Sequence, residues 1–124
     1  MATRTRPPPS PDPRRRRGAQ TERRAEWYYR LRGYRILARN LWVGGYELDL
    51  VARRGRRLVF VEVKGKSGPR WGDPLEMVDA EKQRRLRQAA EAYIARRPEL
   101  ADLRMSFEVV AERSRRLQRV REAF

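Results

Sequence analysis

Leu58-Val59-Phe60-Val61-Glu62-Val63-Lys64-Gly65-Lys66 is the most apolar run of a very basic chain, and it carries two opposite charges near its end. Read as a strand, it sends Val59, Val61 and Val63 to one face and Leu58, Phe60, Glu62 and Lys64 to the other, so the carboxylate and the first ammonium are neighbours. β-Branched residues on one face and Leu58 with Phe60 on the other imply burial on both sides at the strand's start, with a charged end that opens into a cleft. Taken alone, a Glu-x-Lys at a strand end is a solvated pair worth roughly 0 to 1 kcal/mol. Its neighbours change that reading. Tyr46-Glu47-Leu48-Asp49-Leu50-Val51 is a second alternating strand with Asp49 on the same face as Glu47. A hairpin through Arg53-Arg54-Gly55-Arg56 brings Asp49 beside the later strand, so that two carboxylates and a lysine converge.

Upstream, residues 1–18 are rich in proline, contain the run Arg14-Arg15-Arg16-Arg17 and lack apolar periodicity, so a disordered basic arm is expected there, followed by one domain over 19–124. From Ala19 to Arg32, Ala25, Tyr28 and Leu31 recur at helical spacing and Gly33 supplies a stop. Glu22 falls on or beside the apolar face of that helix; a first-turn glutamate also favours the helix dipole, which is the simpler explanation for this residue taken by itself. Tyr34 to Arg39 reads as a strand and Asn40 to Gly45 as a loop.

Downstream, Ser67 to Pro74 is a Gly- and Pro-rich loop around Trp71, which either stacks on a base or covers the core edge. Asp79 is the expected N-cap of a helix from Ala80 to Arg96, with Leu86, Ala89, Ala90, Tyr93 and Ile94 on one stripe. The other face carries Lys82, Arg84, Arg85 and Arg87, a basic ridge suited to phosphate contacts. Met105 to Ala111 alternates as a strand, and Arg116 to Val120 forms a last edge strand. The order is αβββαβ, an α/β fold with a mixed sheet flanked by helices: an antiparallel meander first, then a helical crossover to a parallel partner.

The chain has 124 residues, room for one small core. Cysteine and histidine are both absent, which removes thiolate chemistry, Ser-His-Asp arrangements and histidine-ligated metals. Any metal must be held by oxygen, which favours Mg2+ or Mn2+. A formal charge of +15 implies a polyanionic partner, with nucleic acid the leading candidate and an anionic membrane the competitor. No run of 18 apolar residues exists and the N-terminus has no hydrophobic segment, so no membrane association is expected and a cytoplasmic protein is. Lysine occurs only at 64, 66 and 82 among many arginines, which marks these as places where a compact ammonium matters and makes Lys66 a candidate phosphate contact.

With Glu22, Asp49, Glu62 and Lys64 on that element order, the chain resembles the PD-(D/E)xK nuclease superfamily, restriction-endonuclease-like and Holliday-junction-resolvase-like in fold, and within it the small YraN-type family. The matching pieces are Glu22 with Ala25, Gly33 to Asn40, Glu47 to Ala52, Val59 to Lys64, Lys82 to Leu86 and the closing Ala123-Phe124. The resemblance implies that Asp49 and Glu62 bind Mg2+ or Mn2+, that Lys64 orients the attacking water and steadies the phosphate, that Glu22 is the helix-one acid of the junction-resolvase branch, and that Gln83 is an auxiliary polar residue. It implies a metal-dependent endonuclease acting on DNA, in branched or processed structures, with a non-catalytic nucleic-acid-binding accessory protein as the alternative. Junction-cleaving relatives are symmetric dimers, so a homodimer is open, although no surface for it can be picked out. Tyr46 stands where the family usually has Gly, Gly65-Lys66 where it has Thr-Arg, and Glu108 where it has Asp.

Overall fold

A computed structural model describes residues 13–65, 78–113 and 116–124. Helix α1 spans Pro13–Leu31, followed by strands β1 (Arg35–Val43), β2 (Tyr46–Arg54) and β3 (Arg57–Lys64), helix α2 (Ala80–Ala95), a 3-10 turn (Pro98–Leu100), and strands β4 (Arg104–Arg113) and β5 (Arg116–Val120). The five strands form one mixed sheet in the order β1-β2-β3-β4-β5. β1, β2 and β3 are an antiparallel meander, β3 pairs with β4 in parallel, and β4 pairs with β5 antiparallel. This is the expected α/β architecture, with α2 supplying the crossover that a parallel pair requires.

Both faces of the sheet are covered, and the alternation along β3 divides them. Leu58 and Phe60 join Val51, Phe107, Val109 and the α2 residues Leu86, Ala89, Ala90 and Tyr93 in one apolar cluster. Val59 and Val61 join Leu50, Ala52, Val110 and the α1 residues Ala25 and Tyr29 in the other. Burial on both faces explains why this run is continuously apolar where an exposed strand would alternate with polar residues.

Three local features differ from the sequence reading. Helix α1 begins at Pro13, so residues 13–18 belong to the helix rather than the arm; residues 1–12 lie outside the described residues. Proline at the first helical position costs nothing, because its missing N–H has no intrahelical acceptor there. The buried stripe of α1 is Thr21, Ala25 and Tyr29, at strict four-residue spacing, and Leu31 is 78 % exposed. Finally, the segment expected as a loop from Asn40 is mostly strand: β1 continues to Val43, which is buried against α2. Asn40, with φ of 50°, interrupts the regular conformation without ending the strand.

Turns hold the frame. Gly33 (φ 87°) closes α1, with Tyr34 N–H donating back to the Tyr29 carbonyl at 3.0 Å. Gly44 (φ 61°) turns β1 into β2 directly against α2: a Cβ there would lie 3.0 Å from Ala89 Cα. The N-cap of α2 is Asp79, as expected, its side chain accepting from Lys82 N–H at 2.9 Å.

Candidate active site

The site forms where β2 and β3 stop pairing. Their ladder runs from Arg54↔Arg57 to Leu50↔Val61 and no further toward the start of β2. Beyond it, the Val63 N–H donates to Asp49 Oδ2 at 2.9 Å, so a side-chain carboxylate replaces a strand carbonyl as acceptor. The regular alternation of β2 breaks at the same place: Leu48 packs in the α2-side cluster and Leu50, two residues on, in the α1-side cluster. Asp49 sits at this wedge between the two layers.

Carboxylates gather around it. Ligand oxygens of Glu22, Glu47 and Asp49 all lie within 4.8 Å of one another. Glu22 comes from the middle of α1, well beyond the first turn, so the helix-dipole explanation does not apply. Glu62 flanks Asp49 from β3 and is only 6 % exposed. Burial pushes the Asp49 carboxyl well above the usual carboxylate range; the Glu62 carboxylate adds to this, the Val63 N–H opposes it, and Glu22 contributes a smaller rise. Paired acids held this way are costly to ionise together, which is the condition a cation or a shared proton relieves.

Lys64, half-buried at the end of β3, is the local cation. Burial lowers its ammonium pKa; Glu62 and Asp49 pull it up, while Lys82 at the start of α2 pushes it down. Lys82 thus lies close to Lys64. Gln83, expected as an auxiliary polar residue, gives its side-chain N–H to the Val78 carbonyl at 3.1 Å and so helps fix the start of α2. Arg84 and Arg85 pair with Glu81 on the helix surface, while the Arg87 guanidinium lies 5.5 Å from the ring centres of both Phe107 and Phe124. Lys66 and Trp71 lie outside the described residues.

Two further residues meet the acids of this site. Glu47, which alternation puts on the face of Asp49, brings a carboxylate within 4.8 Å of those of Glu22 and Asp49. Tyr46 donates its hydroxyl to Glu62 Oε2 at 3.4 Å, and burial, with the Glu62 and Asp49 carboxylates adding, raises the pKa of that hydroxyl. A substitution of Gly by Tyr leaves no charge or periodicity signal that would announce such a contact.

The donor set suits a hard divalent cation. It consists of oxygen atoms only, and Asn40 Oδ1, in the same cavity as Glu22 and Asp49, is buried with no hydrogen-bond partner among the described residues. One consequence is measurable without a metal. A carboxyl whose pKa is raised by folding holds its proton more tightly in the folded chain, so stability falls as pH rises from the ordinary value of 3.8 through the raised one. In chelator, Asp49→Asn is therefore expected to melt several degrees above wild type near pH 7, with the difference vanishing below the ordinary value; an Asn variant that melts lower at pH 7 would show that the carboxylate is not strained by ionisation.

The model of the uncharacterised protein family UPF0102 matches residues 21–112. A UPF0102 protein of Symbiobacterium thermophilum is 49 % identical over 82 residues, 66 % of this chain and 70 % of the relative. Those of Halorhodospira halophila and Syntrophotalea carbinolica are 41 % identical over 113 residues (91 % and 89 % of the two chains) and 46 % identical over 91 (73 % of each). The matched region contains Glu22, Asp49, Glu62 and Lys64.

Proposed function

The chain belongs to the uncharacterised protein family UPF0102, the YraN family, and from its site we propose that it is a metal-dependent nuclease that hydrolyses phosphodiester bonds in DNA, in branched or processed structures. The observation that carries this reading is the wedge at Asp49, where the acid accepts the Val63 N–H and lies between Glu62 on one flank and Glu22 with Glu47 on the other, beside the Lys64 ammonium. Phosphodiester hydrolysis needs negative charge neutralised at the phosphoryl oxygens and a water made more acidic, which bound Mg2+ or Mn2+ supplies. Asp49 and Glu62 hold the cation in this reading. The Val63 N–H and the Tyr46 hydroxyl fix one oxygen of each acid, so their orientation is set before substrate arrives. Lys64 orients the attacking water and steadies a phosphoryl oxygen, and Lys82 brings a second ammonium to the same side. Glu22 assists from α1.

The partner follows from charge. With +15 over 124 residues, affinity for a polyanion is carried by counterion release and falls steeply with salt. Lys82, Arg84 and Arg85 on the first turns of α2, with Lys66 and Trp71 in the segment before it, are the proposed strand contacts. Among the described residues no helix is long and apolar enough to cross a membrane.

Calorimetric titration of Mg2+ and Mn2+ into the full chain tests the site. Wild type is expected to bind, and Asp49→Ala combined with Glu62→Ala to lose that binding. Equal binding by the double variant, or no binding by wild type alongside tight association with DNA, would favour a nucleic-acid-binding protein that performs no cleavage.

A further inference from the structure

Asn40 stands in the middle of β1, two residues beyond the register shift at Ile36–Ala38, with a left-handed φ of 50°, a conformation that asparagine tolerates better than most residues. Its strand neighbours pair as Arg39↔Leu50 and Leu41↔Leu48, which sets it opposite Asp49. With Glu22 and Asp49 it lines a cavity of about 160 Å³ on the α1 side of the wedge. Its Oδ1 is buried and accepts no hydrogen bond among the described residues. A buried acceptor without a partner costs about 1–3 kcal/mol, so such an atom is rarely kept without a use.

An amide oxygen is a hard donor for Mg2+ or Mn2+, and unlike a further carboxylate it adds no charge to a group of acids already expensive to ionise. The Glu26 carboxylate, which lines the same cavity, is engaged by Arg30 and Arg39. That leaves the Asn40 oxygen as the neutral donor on this flank of Asp49. We propose that Asn40 Oδ1 is an oxygen ligand to the divalent cation held at Asp49, entering from the Glu22 side. The inference rests on the reading of Asp49 as a cation ligand. It assigns the left-handed residue of β1 a purpose: the turn of backbone at residue 40 delivers a side chain into the wedge, beside the Arg39 that holds Glu26.

The competing account is that asparagine is present only because the backbone is left-handed there. Asn40→Gly separates the two, since glycine adopts that conformation without strain but offers no oxygen. Mn2+ binding is followed by calorimetry in wild type, N40G, N40D and D49A, with thermal melting in chelator as a check on folding. N40G is expected to melt within a few degrees of wild type and to bind Mn2+ on the order of 10–100-fold more weakly, the range that goes with losing a group that supports a metal site. N40D, which keeps an oxygen at the same reach, is expected to bind at least as tightly as wild type, and it decides the matter should N40G not fold. Wild-type affinity in N40G, or lost affinity in N40D, overturns the ligand role while leaving Asp49 in place. Wild-type affinity in D49A, or no Mn2+ binding by wild type, overturns the reading of Asp49 and this inference with it.

Discussion

Replacing Lys64 by alanine is expected to lower single-turnover DNA cleavage by about a hundredfold to a thousandfold, roughly 2.7–4 kcal/mol of transition-state stabilisation, the loss that follows removal of one well-aimed donor to a developing oxyanion. The same change should alter DNA affinity only a few-fold, because one cation among so many contributes little to counterion release. It should not unfold the chain. Lys64 ends β3, its charged form is disfavoured by burial and by Lys82, and its removal relieves that cost. Lys64→Arg is expected to rescue poorly, since a planar guanidinium does not reproduce a compact point charge. Cleavage by Lys64→Ala within a few-fold of wild type would remove the lysine from the chemistry, and a parallel collapse in DNA affinity would make it a binding residue instead.

The second large effect concerns stability. Glu108 in β4 is fully buried, and its carboxylate accepts from Tyr29 Oη at 2.6 Å and from Arg119 Nε at 2.7 Å and Nη2 at 3.1 Å. Tyr34 Oη accepts a further Arg119 N–H at 3.3 Å, and the guanidinium faces the rings of Tyr29 and Tyr34. One acid thus joins α1, the start of β1, β4 and β5. Glu108→Ala leaves a nearly buried guanidinium and a buried phenol without their acceptor, and removal of one partner of such a pair costs about 3–5 kcal/mol. In a chain of 124 residues each kcal/mol moves the melting temperature by about 3–5 °C, so the variant should melt about 10 °C or more below wild type. Glu108→Gln, which keeps one oxygen, should lose less. A loss under about 1 kcal/mol for Glu108→Ala in denaturant melts would show that the network is a solvated surface pair.

What the sequence disclosed tracks the strength of its local signals. The continuous apolar run Leu58-Val59-Phe60-Val61 gave the central strand and the position of Glu62, because burial on both sides leaves no polar alternation along it. Asp79 three residues before Lys82 gave the start of α2, since a capping acid acts on backbone so close in sequence. The site was legible to the extent that its members sit on such elements: Asp49, Glu62 and Lys64 follow from two strands and one tight hairpin.

The remainder depends on contacts between distant residues. Asn40 looked like the opening of a loop because its backbone preference is that of a turn residue, whereas the burial of Val43 against α2 keeps the strand going. Arg119 is one arginine among many, and nothing local distinguishes the guanidinium that meets a buried glutamate from those in water. Arg87 was read as part of a phosphate-facing ridge; its place over Phe107 and Phe124 depends on the chain's last residue folding back, with Ala123 N–H donating to the Phe107 carbonyl at 2.7 Å. The α1 stripe runs through Tyr29 rather than Tyr28, which is equally apolar, and the choice between them is made by Glu108 on β4, distant in sequence and on the sheet face that α1 covers.

The most direct measurement is cleavage itself: end-labelled single-stranded, duplex, flapped and four-way DNA incubated with the full chain in Mg2+ or Mn2+ and in chelator. Cuts are expected on at least one branched or processed substrate, appearing with either metal and vanishing in chelator. Absence of cuts on every substrate, from a chain that binds both the metal and the DNA, would contradict the nuclease reading.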